Sequence, residues 1–323
     1  MATYKEIRGT QIEAVATDPS NPVEGQVWYN TTSNVLKGEA ATTAGSWATV
    51  NSMNDSRTSL GGAGVQTSAL GFGGYGDSQA VTESYNGTNW TEVSDLNNAR
   101  VYLAGSGVSN TSALAIGGYA TTPRAFTESW NGTNWTEVND LNTARFALTA
   151  AGTQTSAIAA GGATPPSARP TNSEIWNGAS WTNTGTINSA RDSLASAGAD
   201  STSALIFGGT DGTARAYTEV WNGSNWTEVN DLNDARFGLG GAGTATAAIA
   251  FGGNSPGNTA NTELYNGSNW TEVANLNTAR REIAGCGSST AALGFGGYST
   301  AASADAESWN GAGAPQVRTF DDS

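Results

Sequence analysis

A sixteen-residue pattern recurs along the chain and limits what it can fold into. The clearest copy runs Trp130-Asn-Gly-Thr-Asn-Trp-Thr-Glu-Val-Asn-Asp-Leu-Asn-Thr-Ala-Arg145, and it returns nearly unchanged over residues 221–236 and 265–280. An arginine marks every copy, at Arg57, Arg100, Arg145, Arg191, Arg236 and Arg280, so the spacings are 43, 45, 46, 45 and 44 residues. Three positions after each comes an apolar residue: Leu60, Leu103, Leu148, Leu194, Leu239 or Ile283. A glycine pair then closes an apolar run, from Gly73-Gly74 in the first copy to Gly296-Gly297 in the last. Self-similarity at this period marks a repeat architecture, in which each unit buries its apolar face only against its neighbours.

Each repeat divides into four short strands. The first starts near the arginine and runs through small residues, as in Arg57 to Gly64; the second is an apolar run such as Ser203 to Phe207. The third spans Ala80 to Tyr85 and its equivalents, and the fourth starts at a tryptophan, as in Trp90 to Val93. Asn-Gly between the third and fourth is a strong hairpin signal, and helix-period patterning is essentially missing. Four strands per repeat of this length predict an all-β, six-bladed propeller, with the small-residue strand innermost where blades crowd the axis. The sixth repeat lacks its fourth strand, and Ser46-Trp-Ala-Thr-Val50 before the first arginine matches it. The N-terminal strand around 46–50 is therefore expected to complete the last blade and close the ring. Gln316 to Phe320 could instead supply that strand, with Gly25 to Ala40 starting a partial seventh blade. The expected division is a leader over residues 1–25 and a propeller over 26–323.

Only 13% of the 323 residues are charged, while Gly alone accounts for 42, a profile suited to short strands and tight turns. The net charge of −14 disfavours nucleic-acid backbones and anionic membranes, which require basic patches. No run approaches the length of a membrane span and the N-terminus has no apolar signal region, so neither membrane insertion nor a signal peptide is expected. Histidine is absent, which removes Ser-His-Asp and Cys-His triads, His-ligated metals and the commonest general base near neutral pH. Cys286, the single cysteine, stands where other repeats carry Ser106, Ala151, Ala197 and Ala242, so it reads as a small buried spacer. No enzyme activity, metal or cofactor is expected.

The glycine pair, the aromatic of the third strand and the tryptophan of the fourth, in this order and spacing, resemble kelch repeats over roughly residues 46–310. The resemblance implies a propeller and leaves the function open, since kelch propellers serve as enzymes, adaptors and adhesins. The chain departs from the usual kelch pattern in its Asn-Gly-Thr/Ser-Asn-Trp turn and its shortage of charge. Residues Asp18-Pro-Ser-Asn-Pro-Val-Glu-Gly-Gln-Val-Trp-Tyr-Asn30, followed by Asn34-Val-Leu-Lys-Gly38, are similar to the openings of structural proteins of tailed bacteriophages, marine phages especially. Trp309-Asn-Gly-Ala-Gly-Ala-Pro315 has the same character. This second resemblance implies a virion protein, assembled in the host cytoplasm: a tail fibre, receptor-binding or decoration component. Its leader would hold other virion proteins, and host-surface glycan or a receptor would be its external partner.

Candidate residues follow from the strands. Glu83, Glu128, Glu174, Glu219, Glu263 and Glu307 each lie two residues before an aromatic, hence on the same strand face. A buried carboxylate needs a partner, and the six landmark arginines match the six glutamates in number. Structural Arg–Glu pairs, within a blade or across to the next, are expected; six equivalent copies argue for architecture over catalysis. Trp47, Trp90, Trp135, Trp181, Trp226 and Trp270 read as interblade packing, with sugar-stacking platforms as the alternative. The overlapping Asn-X-Ser/Thr sequons, as at Asn131 and Asn134, read as turn formers. The segments after the glycine pairs, including Ala163 to Thr171, vary most between repeats. Within them Tyr75, Tyr119, Arg124, Arg169, Arg215 and Tyr298 are best suited to hydrogen-bond and stack on a glycan. The expected function is a non-enzymatic virion adhesin that binds host-surface glycan or protein through these loops; a purely structural or decoration propeller without a glycan ligand is the alternative.

Overall fold

The computed structural model describes residues 12–17, 27–40, 45–165, 168–311 and 316–320. Among them every regular element is a strand, and no helix is long and apolar enough to cross a membrane. The strands form seven four-stranded sheets, one more than the six counted from the repeats. The chain divides into two compact units, Ser46–Gly311 and a smaller one drawn from 1–45 and 312–323. The division thus falls at 45/46 and 311/312, not after residue 25.

The smaller unit holds the additional sheet. Glu13–Val15 runs parallel to Val27–Asn30, which pairs antiparallel with Val35–Ala40, which pairs antiparallel with Gln316–Phe320. Gln316–Phe320 therefore completes no repeat, and the described strands of the Gly25 to Ala40 region, Val27–Asn30 and Val35–Ala40, belong to this separate sheet. Of the leader, only residues 12–17 are described, and residues 18–26 and 312–315 of the phage-like segments lie outside the described residues.

The larger unit contains six antiparallel sheets, one per repeat. Sheet 1 is Gly61–Val65, Ser68–Phe72, Thr82–Tyr85 and Trp90–Val93, in that order. Sheet 2 is Ala104–Ser109, Ser112–Ile116, Thr127–Trp130 and Trp135–Val138. Sheets 3, 4 and 5 repeat the plan from Thr149–Gly152, Ala195–Asp200 and Gly240–Thr244. Sheet 6 takes Ala284–Gly287, Ala291–Phe295 and Ala306–Asn310 from the end of the repeats and Ser46–Val50 from their beginning, with Trp309 opposite Trp47. Innermost strands contact one another in cyclic order, and the sixth contacts the first. A repeated all-β array of this kind is a β-propeller.

Side-chain size explains the arrangement. The innermost strands approach so closely that a Cβ on Gly105 would lie 2.2 Å from the Gly62 carbonyl oxygen. The second strands are apolar on both faces because each lies between neighbouring sheets, as Leu205 (0% exposed) on one face and Ile206 (1%) on the other show. At the end of that strand the backbone must turn through left-handed φ: Gly117 has φ 61° and Gly118 φ 108°, and a Cβ on Gly117 would meet the Arg145 carbonyl at 2.7 Å. Asn131 and its counterparts shape the outer hairpin as a four-residue turn. Its Oδ1 accepts from the Thr133 and Asn134 amides, both at 2.9 Å.

The tryptophans are interblade packing. Trp135 Nε1 donates to Thr82 Oγ1 of the preceding sheet at 3.0 Å, and its ring lies 5.0 Å from Phe72 in an edge-on contact. Trp181, Trp226, Trp270 and Trp47 make the same bond to Thr127, Ser173, Thr218 and Thr262. Trp90 is the exception: its buried Nε1 has no partner, and Ala306 stands at the position where the other sheets carry a hydroxyl. Cys286 is a buried spacer of the innermost strand, and burial pushes its thiol up to about 12.

Candidate functional site

Each landmark arginine is fully buried and pairs with the glutamate of its own repeat. Arg57 Nη2 lies 2.9 Å from Glu83 Oε1, Arg145 3.0 Å from Glu174, and Arg191 2.5 Å from Glu219. Arg236 is 3.0 Å from Glu263 and Arg280 2.8 Å from Glu307, and Arg100 pairs with Glu128. Burial pushes Arg57, Arg100, Arg145, Arg236 and Arg280 below the ordinary guanidinium value, and the paired glutamate opposes that shift. The second carboxylate oxygen is claimed by an asparagine three residues before each arginine. Glu219 Oε2 accepts from the Asn188 amide at 2.7 Å and its side chain at 2.8 Å. Asn54, Asn97, Asn142 and Asn233 stand likewise, and Asn277 bonds Glu307 through its backbone amide while its side chain donates to Thr49, giving an Asn-x-x-Arg signature visible in all six repeats but meaningful only once the glutamate is placed. All six carboxylates are buried and bonded to structural donors.

The connections carrying the arginines and the loops after the glycine pairs lie at one end of the six sheets. Two residues past each arginine the backbone is left-handed: Ser59 (φ 58°), Tyr102 (53°), Ala147 (51°), Ser193 (53°), Gly238 (61°) and Glu282 (51°). Five of these are not glycine, a conformation costing on the order of 1 kcal/mol each or more. A closed cycle of hydrogen bonds offsets that strain. Tyr102 N–H donates to the Ser59 carbonyl (2.9 Å), Ala147 to Tyr102 (2.8 Å), Ser193 to Ala147 (2.8 Å), Gly238 to Ser193 (2.7 Å), Glu282 to Gly238 (2.5 Å) and Ser59 to Glu282 (3.1 Å). This ring explains why the innermost strand begins at Gly61 rather than at Arg57: the intervening residues bond around the axis instead of along a sheet.

The left-handed ring at this end is six-fold, but the loops around it differ in length and in residue type, and their side chains form three sectors. In the first, Tyr75, Tyr102, Tyr119 and Phe146 surround a cavity of about 390 Å³ together with Thr121, Thr122, Pro123 and Pro165. Tyr75 stands nearly perpendicular to Tyr102 at 5.6 Å between ring centres, and Tyr119 lies 5.3 Å from Phe146. Burial, and then the Glu282 carboxylate, push the Tyr102 phenol above its ordinary value, so it stays a hydroxyl. In the second sector Arg169 Nε is bound to Asp192 at 2.5 Å, and Arg215 Nη2 to Asp211 at 2.7 Å. The third holds Arg281 over the Tyr298 ring at 4.5 Å and Glu282 against the Ser59 hydroxyl.

Of the six loop residues picked out from sequence, the structure brings Tyr75 and Tyr119 into one cavity. Arg124 lies beside it, bonded to Thr121 Oγ1 at 3.3 Å and over the Phe126 ring at 5.5 Å. Arg169, Arg215 and Tyr298 lie in other sectors, each engaged by a neighbour. Pro166 and Ser167, within the third of these loops, are outside the described residues. Tyr102 and Phe146 were missed because they sit in a segment read as the start of the innermost strand. A signal was present: one and two residues past the arginine the repeats differ in character, while the arginine before and the Leu or Ile after do not.

No protein-family model and no curated protein matches this sequence. The fold does have solved counterparts, 423 matching chains, so the fold is too widespread to carry a function by itself. One of these structures, that of YjhT, has a β-propeller-like fold and superimposes with a TM-score of 0.70 at 11% identity, over 84% of this chain and 99% of that one. At that identity the likeness extends to the fold alone. Together with the repeated four-stranded sheets, it makes this chain a β-propeller.

Proposed function

We propose that this chain is a six-bladed, kelch-like propeller, closed by its Ser46–Val50 strand, that serves as a non-enzymatic adhesion component of a tailed-bacteriophage virion. It binds host-surface glycan or protein through the loop face. The observation that carries the reading is the aromatic cavity of Tyr75, Tyr102, Tyr119 and Phe146 on a face whose inner backbone ring is six-fold. A structural role alone asks for the same residue in every repeat, as the Arg–Glu pairs are; a cluster confined to sheets 1–3 answers to something outside the fold. Tyrosine on a rigid scaffold supplies contact area together with a hydrogen-bonding tip. The phage assignment rests on the similarity of residues 18–38 to phage structural proteins, and the leader is the segment expected to hold other virion proteins.

Gold-labelled antibody raised against residues 57–310, applied to purified particles, tests the reading. Label at the tail tip or fibres is the expected result. Label over the head would make the protein a decoration component without an adhesive role, and absence of label from intact particles would overturn the virion assignment.

A further inference from the structure

Building on the adhesion reading, we propose that the cavity between Tyr75, Tyr102, Tyr119 and Phe146 is a saccharide site that takes the neutral end of a host-surface polysaccharide and rejects acidic sugars. Its volume of about 390 Å³ falls within the range of roughly 300–1,000 Å³ usual for small-ligand sites. A sugar ring presents polarised C–H groups on its faces and hydroxyls around its rim. The cavity offers the complement of both. Three tyrosines and a phenylalanine give aromatic faces of negative potential, and the tyrosine hydroxyls with Thr121 and Thr122 can each donate or accept.

Charge decides which sugars. Every lining residue is uncharged, and the two residues of the neighbouring loop outside the described set are a proline and a serine. The cations nearest the cavity are outside its lining and already engaged, Arg124 with Thr121 and the Phe126 ring and Arg281 with the Tyr298 ring, so the lining itself offers the carboxylate of an acidic sugar no ion pair. Of the two charges that act on Tyr102, the Glu282 carboxylate outweighs Arg281, and the chain carries a net charge of −14, so the surroundings also disfavour an anion. Arg169 and Arg215, the arginines of the adjacent sector, are already held by Asp192 and Asp211. The fold itself does not require these aromatics. Where sheet 2 has Tyr102, sheets 3 and 4 have Ala147 and Ser193; where it has Tyr119, sheet 3 has Ala163; where sheet 3 has Phe146, sheet 1 has Thr58.

Those equivalences supply variants that the scaffold already accommodates. Tyr102→Ala and Tyr119→Ala each install a residue found at the same position in sheet 3, and Val108→Ala, on an exposed residue (52%) at the opposite end of the sheets, is the control. The full-length chain is titrated calorimetrically with neutral gluco-, galacto- and manno-oligosaccharides, with oligogalacturonate and sialyllactose, and with a proline-rich peptide. Adhesion to host cells is scored in parallel. We expect a neutral oligosaccharide to bind, and either tyrosine variant to weaken it at least about tenfold, a loss of about 1.4 kcal/mol. Val108→Ala should leave it unchanged. Binding of acidic sugars alone, of the peptide alone, or of no saccharide would overturn the proposal, as would neutral-sugar binding that both tyrosine variants retain. Cell adhesion that survives the Tyr102→Ala/Tyr119→Ala double substitution would reject the saccharide site while preserving the adhesion reading. Neutral-sugar binding without adhesion would do the reverse.

Discussion

In every repeat one buried guanidinium faces one buried carboxylate, and the carboxylate also caps the asparagine of the incoming connection. Removing one partner leaves an uncompensated charge among apolar side chains. Glu219→Ala is expected to lower the unfolding free energy by about 3–5 kcal/mol in denaturant titrations, because Arg191 would stay buried and unpaired. The opposite sign is expected at Ala306. A hydroxyl there would meet the orphan Nε1 of Trp90, as Thr82 meets Trp135, so Ala306→Thr should stabilise by about 1 kcal/mol in the same assay. Asp211 tests the electrostatics of the loop face. Its hydrogen bond with Arg215 holds the carboxyl down to about 2 from 3.8. The folded value is depressed, so the contact's contribution is complete above the unfolded value and is lost as pH falls through about 2. A side-chain NMR titration should place the midpoint near 2, and Arg215→Gln should return it toward 3.8.

Among the elements, the Ser46–Val50 strand has the largest consequence for its size. It is separated by more than 250 residues from its partner Ala306–Asn310, yet it completes sheet 6. Trp47 bonds to Thr262 at 3.0 Å and packs on Phe251 (4.8 Å) and Trp309 (5.6 Å). Trp47→Ala should therefore cost about 3–5 kcal/mol. Amide hydrogen exchange should show the lost protection concentrated in Ala306–Asn310, because that strand becomes a free edge. The strand's role was legible from sequence: the sixth repeat lacks a Trp-containing strand and the chain supplies one before the first arginine. Where the innermost strands begin was not legible, since the residues after each arginine look strand-like and only the hydrogen bonds around the axis draw them away.

For the molecule as a whole, the small residues that let six innermost strands converge also bury Cys286. Its thiol should react with an aromatic disulfide reagent only after the larger unit unfolds, so the labelling rate should track global unfolding. The sequence by itself determined the repeat, its four strands, the small residues at the axis, and the pool from which the Arg–Glu pairs are drawn. Each of these follows from local periodicity or from identical residues recurring in register. Tertiary structure alone decided which loop residues meet. Tyr75, Tyr102, Tyr119 and Phe146 come from three sheets and are up to 71 positions apart, and the ring curvature brings them to one cavity. Arg169 and Arg215 looked equally suited to a ligand, but neighbouring aspartates hold them. Residue type and spacing encode what a side chain can do, whereas its partner depends on distances that exist only once the six sheets have closed around their axis.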